Sequence, residues 1–430
     1  MGASAAADSG DVADSAPVRR ARFAHVWRAL RHRNYRLFFA GQGISLIGTW
    51  VTRFAIPYQA YQLSKSAFVL GLVAFCAQIP TALIAPFAGV LVDRWDRHRT
   101  IVVTQVFAAL QSFALAAFAL TGTMTIATLI VLGAIQGVIN AFDMPARQSF
   151  VRQMVDDRAD LPNAIALNSS LVTLGRMLGP VVAATLVHLV GIGWCYAIDG
   201  LSYIAVVGSL LAMRVTRQPP RARKQGSSVM SELADGFRYT FGHSTIAPLL
   251  VALAVSSTFG GAYASLLPAY TAQWLRDTNP DALGILMGCA GLGALIGVLY
   301  LAARTSSAGL ERVTALCGFS LGAGLILLRF APHLYIACPI MLFVGGALVV
   351  QWAATNTLVQ SLADEAMLGR TLSILAVTFF SGTPLGAIIV GSIASGLGPE
   401  TAFALAGTAC LLGQAAAFRW NQRARSRTTS

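Results

Sequence analysis

The chain has 430 residues, of which 56% are hydrophobic and only 11% charged, with 31 Lys and Arg against 18 Asp and Glu for a net charge of +13. An ordinary soluble domain carries about 25% charged residues, so a water-soluble enzyme or nucleic-acid-binding domain is excluded as the bulk of the molecule. The apolar runs are long and continuous rather than short and alternating, which points to helices in lipid and away from a membrane β-barrel.

Residues 1–30 form an N-terminal arm. Its first part, Met1 to Pro17, is Ala, Ser and Asp and is expected to be disordered. Asp8, Asp11 and Asp14 stand where a signal peptide would be basic, so no signal peptide is expected. Twelve stretches then predict spans near 37–61, 67–92, 101–121, 124–142, 164–190, 192–213, 247–271, 282–303, 310–329, 334–357, 368–396 and 399–419. They group into an N-terminal half (31–215) and a C-terminal half (246–419), followed by a basic tail (420–430). The connector between them, 216–245, contains Pro219, Pro220 and Arg-Lys-Gln-Gly. Its second part places Met230, Leu233, Phe237 and Phe241 on one helical face, with Ser231, Glu232, Asp235 and Arg238 elsewhere, which predicts a short helix lying on the membrane surface.

Charge is distributed by side. With the N-terminus inside, 26 of the Lys and Arg fall in inside loops and tails, three (Lys65, Arg276 and Arg329) fall outside, and Arg53 and Arg176 lie within spans. That asymmetry predicts an even number of spans and two cytoplasmic termini.

Nothing in the sequence points to an enzyme, a metal or a cofactor. The six cysteines fall in predicted spans without metal spacing, the six histidines are scattered, and His-Glu-x-x-His is absent. The only lysines, Lys65 and Lys224, sit in no phosphate loop, so ATP would require a separate subunit.

The halves look like a weak repeat. Phe150-Val-Arg-Gln-Met-Val-Asp-Asp157 resembles Leu358-Val-Gln-Ser-Leu-Ala-Asp-Glu365 at an offset of 208. Gly179-Pro180 falls near Pro384-Leu-Gly386, Ile56-Pro57 near Leu267-Pro268, and Leu70-Gly71 near Leu283-Gly284. Two homologous six-span halves are one route to alternating access around a central site.

The loop after the second span reads Gly89-Val-Leu-Val-Asp93-Arg94-Trp-Asp96-Arg97-His-Arg99. Gly89 is expected to let helices approach closely, and Asp93 to meet a neighbouring helix N-terminus at the membrane edge. This stretch resembles the loop signature of the major facilitator superfamily, Gly-x-x-x-Asp-Arg-x-x-Arg-Arg; the counterpart in the second half keeps Gly297 and Arg304 without the acid. Further blocks narrow the likeness: Asn34-Tyr-Arg-Leu-Phe-Phe, Gly48-Thr-Trp50, Asn140-Ala-Phe-Asp143-Met-Pro-Ala-Arg147, Leu161-Pro-Asn-Ala and Gly175-Arg176-Met-Leu-Gly179-Pro180. Together they resemble the secretion-type permeases, the branch that includes the bacterial enterobactin exporter. The resemblance spans Arg31 to Arg419 and implies a bacterial inner-membrane exporter. It makes Gly89, Asp93, Arg94, Arg97, Arg99, Asp143 and Arg147 the expected inner gate. One departure concerns coupling. Many proton-driven drug exporters of the superfamily carry an Arg three residues before Gln-Gly in the fourth span, and here that position is Gly133 before Gln136-Gly137. Proton coupling therefore rests on kinship.

Charges inside a membrane are costly and usually functional. Arg53, Arg176 and Asp199 are the clear cases. Arg53 and Asp199 share nearly one depth, so they read either as a structural ion pair or as separate functional groups; Arg176 has no depth-matched carboxylate and is the candidate for an anionic substrate group. Gln78, Gln136, Asn140, Ser256, Ser257 and Gln351 are candidate cavity-lining groups, with a bond to a neighbouring helix as the alternative for each. Gly175 and Gly179, and the pairs Gly284/Gly288 and Gly293/Gly297, put small residues on single helix faces and predict close packing; flexing at Gly179-Pro180 is the alternative.

The sequence thus predicts an all-α integral membrane protein of twelve helices in two pseudo-symmetric halves. It is expected to be a secondary transporter exporting a small molecule, siderophore-like or toxic, by alternating access. A proton is the expected coupling ion, lipid the surroundings, a monomer sufficient, and nucleic acid no partner. Import by the same fold is the alternative.

Overall fold

Lipid offers the backbone no hydrogen-bond partner, so a spanning chain must close its amide bonds within helices. A computed structural model describes residues 27–155, 157–214, 229–304, 306, 309–365 and 367–428, and among them there are helices and no strands. The expected disordered start, the first part of the connector (215–228), and the side chains of Asp93 and Arg94 lie outside the described residues. The spans of the first half are α1 Arg33–Ser64, α2 Ala67–Arg94, α3 Arg97–Leu120, α4 Ile126–Met154, α5 Leu161–Val190 and α6 Ile192–Leu211. A short helix, α7 Val229–Gly242, leads into the second half. There follow α8 Ile246–Trp274, α9 Pro280–Ala302, α10 Leu310–Leu328, α11 Leu334–Leu362, α12 Leu368–Leu397 and α13 Pro399–Thr428. Eleven of these are apolar and long enough to cross a membrane by composition. The twelfth span is α1, whose Arg53, Gln42 and Gln59 dilute its apolar content.

Local signals set the helix ends. Asp96 caps α3 by accepting from the Arg99 N–H at 3.1 Å, and Thr125 caps α4 through the Thr128 N–H. The turn from the fifth to the sixth span uses a glycine with φ +84° in each half, Gly191 and Gly398, a conformation L side chains avoid. The recurrence marks the repeat more sharply than the apolar helices do.

One span departs from expectation. The predicted continuous helix near 247–271 is broken into α-helix to Val255, a π-helical turn Ser256–Gly260, α-helix Tyr263–Ala269 and a second π turn Tyr270–Trp274. Ser256, Ser257, Gly260, Gly261 and Pro268 cluster there. Freed backbone groups at such positions are re-satisfied by irregular turns, and Gln414 of α13 donates to both the Ala252 carbonyl (3.0 Å) and Ser256 Oγ (2.8 Å).

The packing of the halves is lopsided. One hydrophobic core joins both of them, with Val51 and Phe54 of α1, Leu70 of α2 and Ala183 of α5 against Leu267 of α8, Leu283 of α9 and Val390 of α12. All of these lie toward the face opposite the chain termini. Toward the terminal face the core splits into separate clusters, one around Tyr35, Phe38 and Phe150 in the first half and one around Ile246, Leu253 and Leu375 in the second. Glycines form the bridge. A Cβ at Gly71 of α2 would strike the Ala387 carbonyl of α12, and one at Gly284 of α9 would strike Ala184 and the Pro180 carbonyl of α5. These are the positions matched in the repeat, so the two seams, α2/α12 and α5/α9, are pseudo-symmetric equivalents. The α5/α9 seam ends at Gly291, which abuts Met177 and the Arg176 carbonyl.

A helix forms in the second part of the connector, Val229–Gly242. Asp235 pairs with Arg370 of α12 at 3.7 Å, the Asp364 N–H donates to Tyr239 Oη at 2.9 Å, and Gly236 lies against Arg370. Phe237 and Phe241 stack on one another, exposed, where a bilayer interface would receive them.

Candidate functional site

Two polar centres form inside the first half. At the first, Asp199 of α6 is 1% exposed, and its Oδ2 accepts from Thr52 Oγ1 of α1 (2.8 Å) and Ser112 Oγ of α3 (3.0 Å). Its other oxygen faces Gly48, where a Cβ would press on it, and has no hydrogen-bond partner among the described residues. The carboxylate therefore ties three helices together through hydroxyl groups.

At the second centre, Trp50 of α1 is flanked by two arginines. The Arg53 guanidinium carbon lies 4.9 Å from the indole centroid and that of Arg176, from α5, lies 5.6 Å from it. Gly175 and Gly179 of α5 seat the indole, since a Cβ at either would collide with it. The small-residue pair thus packs α5 on α1 by making room for one tryptophan. The side chain of Arg53 is solvent-accessible. Tyr263 of α8, from the other half, lies within electrostatic reach of Arg176.

The Arg53–Asp199 ion pair, one of the two readings of their shared depth, is not formed. Asp199 is bonded to the hydroxyls of Thr52 and Ser112, and Arg53 turns to Trp50 and Arg176. Among the described residues neither arginine has a carboxylate within ion-pair distance. Magnitudes show what this leaves. A cation–π contact contributes about 0.5–2 kcal/mol, whereas an arginine at mid-membrane costs roughly 2.5–3.5 kcal/mol or more. Stacking alone therefore does not offset the cost at the half-buried Arg176, where an anion would, whereas Arg53 keeps access to solvent.

The neutral candidates do not converge. Gln136 donates to Asn140 Oδ1 at 3.1 Å within α4, and Gln78 donates to the Ala74 carbonyl of its own helix at 3.3 Å. Gln351 of α11 is fully buried in the second half, with neither amide atom bonded among the described residues. Ser256 and Ser257 serve the broken α8: Ser256 receives Gln414, and Ser257 donates to the Ala254 carbonyl at 3.0 Å.

At the terminal face, Asp143 of α4 gathers a network. Its Oδ1 accepts from Thr104 Oγ1 and Gln105 Nε2 of α3, both at 2.9 Å, and its Oδ2 accepts from Arg147 at 2.7 Å. In the Gly89–Arg99 loop, Asp96 caps α3 just before Arg97; the meeting with a helix N-terminus expected of Asp93 lies outside the described residues. Arg99 is exposed, and its backbone N–H closes that cap. Among the described residues, a Cβ at Gly89 would have nothing within 4 Å. Asn34 and Tyr35, which the sequence left without a role, clasp the start of α1 to its neighbours. Asn34 exchanges two hydrogen bonds with Arg214 just beyond α6, and Tyr35 Oη donates to the Ala164 carbonyl of α5 at 2.7 Å.

Trp50 is the site residue that sequence reasoning missed. Its i,i+3 spacing from Arg53 was available as a signal. The partner from α5 was not, because inter-helix pairing needs the fold.

Comparisons with known proteins agree with this architecture. The family described as transmembrane secretion effector matches residues 24–429. The chain is 24% identical over 383 residues to a staphyloferrin A transporter of Staphylococcus aureus, covering 87% of this chain and 94% of that protein. It is 24% identical over 386 residues to the enterobactin exporter EntS of Shigella boydii serotype 4, covering 89% and 90%. Among solved structures, the nucleoside transporter NupG superposes with a TM-score of 0.71 at 14% identity over 91% of this chain and 98% of that one. A bacterial homologue of the human lysosomal transporter Spinster, in an inward-facing and unoccupied conformation, gives 0.68 at 16% identity over 91% and 97%. At such identities the structures speak to the fold alone.

Proposed function

Because the chain belongs to the transmembrane secretion effector family of the major facilitator superfamily, whose members are membrane transporters, we propose that it exports a small siderophore-like or otherwise toxic amphipathic molecule from the cytoplasm. The observation that carries the mechanism is the divided core, shared by both halves at one face and separate at the other. Two bodies joined at one end around a polar interior are built to rock. We take residues 31–215 and 246–419 as those bodies, with 216–245 as the strap between them. With both termini in the cytoplasm of a bacterium and the chain in its inner membrane, the structure is the state that loads from inside. Asp93, Arg94, Arg97 and Arg99 are then latch groups for the opposite state, Asp143–Arg147 is the fixed block behind them, and flexing at Gly179-Pro180 accompanies the exchange. The protomer contains both halves and needs no second copy. A proton moving inward is the coupling ion of this reading, on kinship.

The test is secretion. A strain lacking the protein should retain an iron-chelating or toxic metabolite that the complemented strain places in the medium, and everted membrane vesicles should accumulate it. Equal distribution in both strains, or accumulation only by right-side-out vesicles, would overturn export and favour import.

A further inference from the structure

Arg53, Trp50 and Arg176 form an arrangement that the transport cycle as described does not use. The arginines come from different helices, meet on one indole, and among the described residues have no carboxylate partner. The nearest mid-membrane acid is engaged by Thr52 and Ser112. Guanidinium groups present planar forks suited to oxyanions, and two of them in a low-dielectric cleft concentrate negative ions. The indole they share is fixed by Gly175 and Gly179, so the ring both guanidiniums lie against is set before a ligand arrives. The second half has no equivalent. At the offsets that pair Pro57 with Pro268 and Gly191 with Gly398, Trp50, Arg53 and Arg176 fall on Gly261, Ala264 and Thr383. The charge is therefore confined to one wall of the cavity.

We propose that Arg53 and Arg176, gathered on the Trp50 ring, form a clamp for a small organic anion bearing carboxylate-type oxygens, and that this clamp selects the exported molecule; the selection clause rests on the exporter reading. The clamp also sits at a mechanically informative place. The Arg176 carbonyl and Met177 abut Gly291 at the inner end of the α5/α9 seam. An anion drawn to Arg176 therefore loads the helix turn where that seam must begin to part.

The test uses the full chain in lipid nanodiscs and the fluorescence of Trp50, isolated as the difference between the parent and Trp50→Phe. Iodide is the anionic probe and acrylamide the neutral one. Iodide should quench the Trp50 component at least about threefold more steeply than acrylamide does, because the cleft concentrates anions. Arg53→Gln and Arg176→Gln should each remove most of that excess, and Arg53→Lys and Arg176→Lys should keep part of it, which separates lost charge from lost fold. Succinate should protect Trp50 from iodide and the neutral succinamide should not. No iodide excess, an excess unchanged in Arg176→Gln, or equal behaviour of succinate and succinamide would each overturn the clamp. Secretion measured on the same variants separates the two readings: secretion that persists without the iodide signature removes the clamp and leaves the exporter, and the signature without secretion in the parent does the reverse.

Discussion

At the scale of single residues, the first half puts its mid-membrane acid and its mid-membrane bases to separate uses. Asp199 is held by hydroxyl donors, and Arg53 and Arg176 by an aromatic face, so the acid and the bases should respond to substitution independently. Thr52→Val with Ser112→Ala strips the carboxylate of its donors, and each buried hydrogen bond lost in this way costs about 1–3 kcal/mol. That double variant should melt several degrees below the parent, and adding Asp199→Asn should recover part of the loss by removing the charge that needed the donors. Asp199→Asn and Arg53→Gln should couple by less than the ~3–5 kcal/mol that breaking a buried direct pair costs, because the two groups lie within electrostatic reach of one another but share no direct contact. Melting of the purified variants checks both statements. A strong recovery in the Asp199→Asn, Arg53→Gln double variant would show a direct pair after all.

At the scale of helices, much was legible in the amino-acid order alone. Apolar run length placed the spans, and the surface helix followed from Phe237 and Phe241 recurring on one face. The repeat, read from Gly71 against Gly284 and Gly179-Pro180 against Pro384-Leu-Gly386, turned out to mark the two seams that join the halves. The break in α8 was less legible, because serine and glycine pairs occur in straight spans too, and only packing against Gln414 shows which backbone groups are released. The meeting of Arg53 with Arg176 was illegible for a related reason: depth along a helix can be counted, but rotation about it relative to a neighbour cannot. The seams make a prediction of their own. Gly71→Leu should wedge α2 from α12, and because packed halves move as bodies, the α5/α9 seam should loosen with it. In a background lacking the six native cysteines, Leu283→Cys, now 1% exposed in the second seam, reports the opening. Its labelling by a membrane-impermeant thiol reagent should rise severalfold when Gly71→Leu is added. Unchanged labelling would mean that the seams part separately and that rigid rocking is wrong.

At the scale of the whole molecule, the direction of transport depends on which face carries the termini. On the charge asymmetry we propose that they lie in the cytoplasm. A reporter active only in the cytoplasm should work when fused at Ser430 and fail when inserted after Lys65; the reverse pattern would turn the loading state into the releasing state and reverse the proposed direction. Given that orientation, the open end of the molecule gives Gly89 a specific meaning. A methyl group placed on its Cα would have no neighbour within 4 Å among the described residues, whereas Gly71, Gly284 and Gly291 are all pressed against backbone of the opposite half. A glycine in a helix interior costs roughly 0.5–1 kcal/mol relative to alanine; Gly208 and Gly396 share the open setting, and it is the place of Gly89 in the gate motif that leads us to propose a contact made in another state. When the terminal face closes, α2 must approach the second half there, as its far end already does at Gly71. Gly89→Val should therefore leave the melting temperature of the loading state unchanged or slightly raised, while export falls at least about tenfold if closure is made about 1.4 kcal/mol harder and limits the cycle. Protein that melts normally but is trapped with its terminal face reactive to impermeant thiol reagents would establish Gly89 as part of the closing surface; normal export by Gly89→Val would leave the motif with its charges alone to act through.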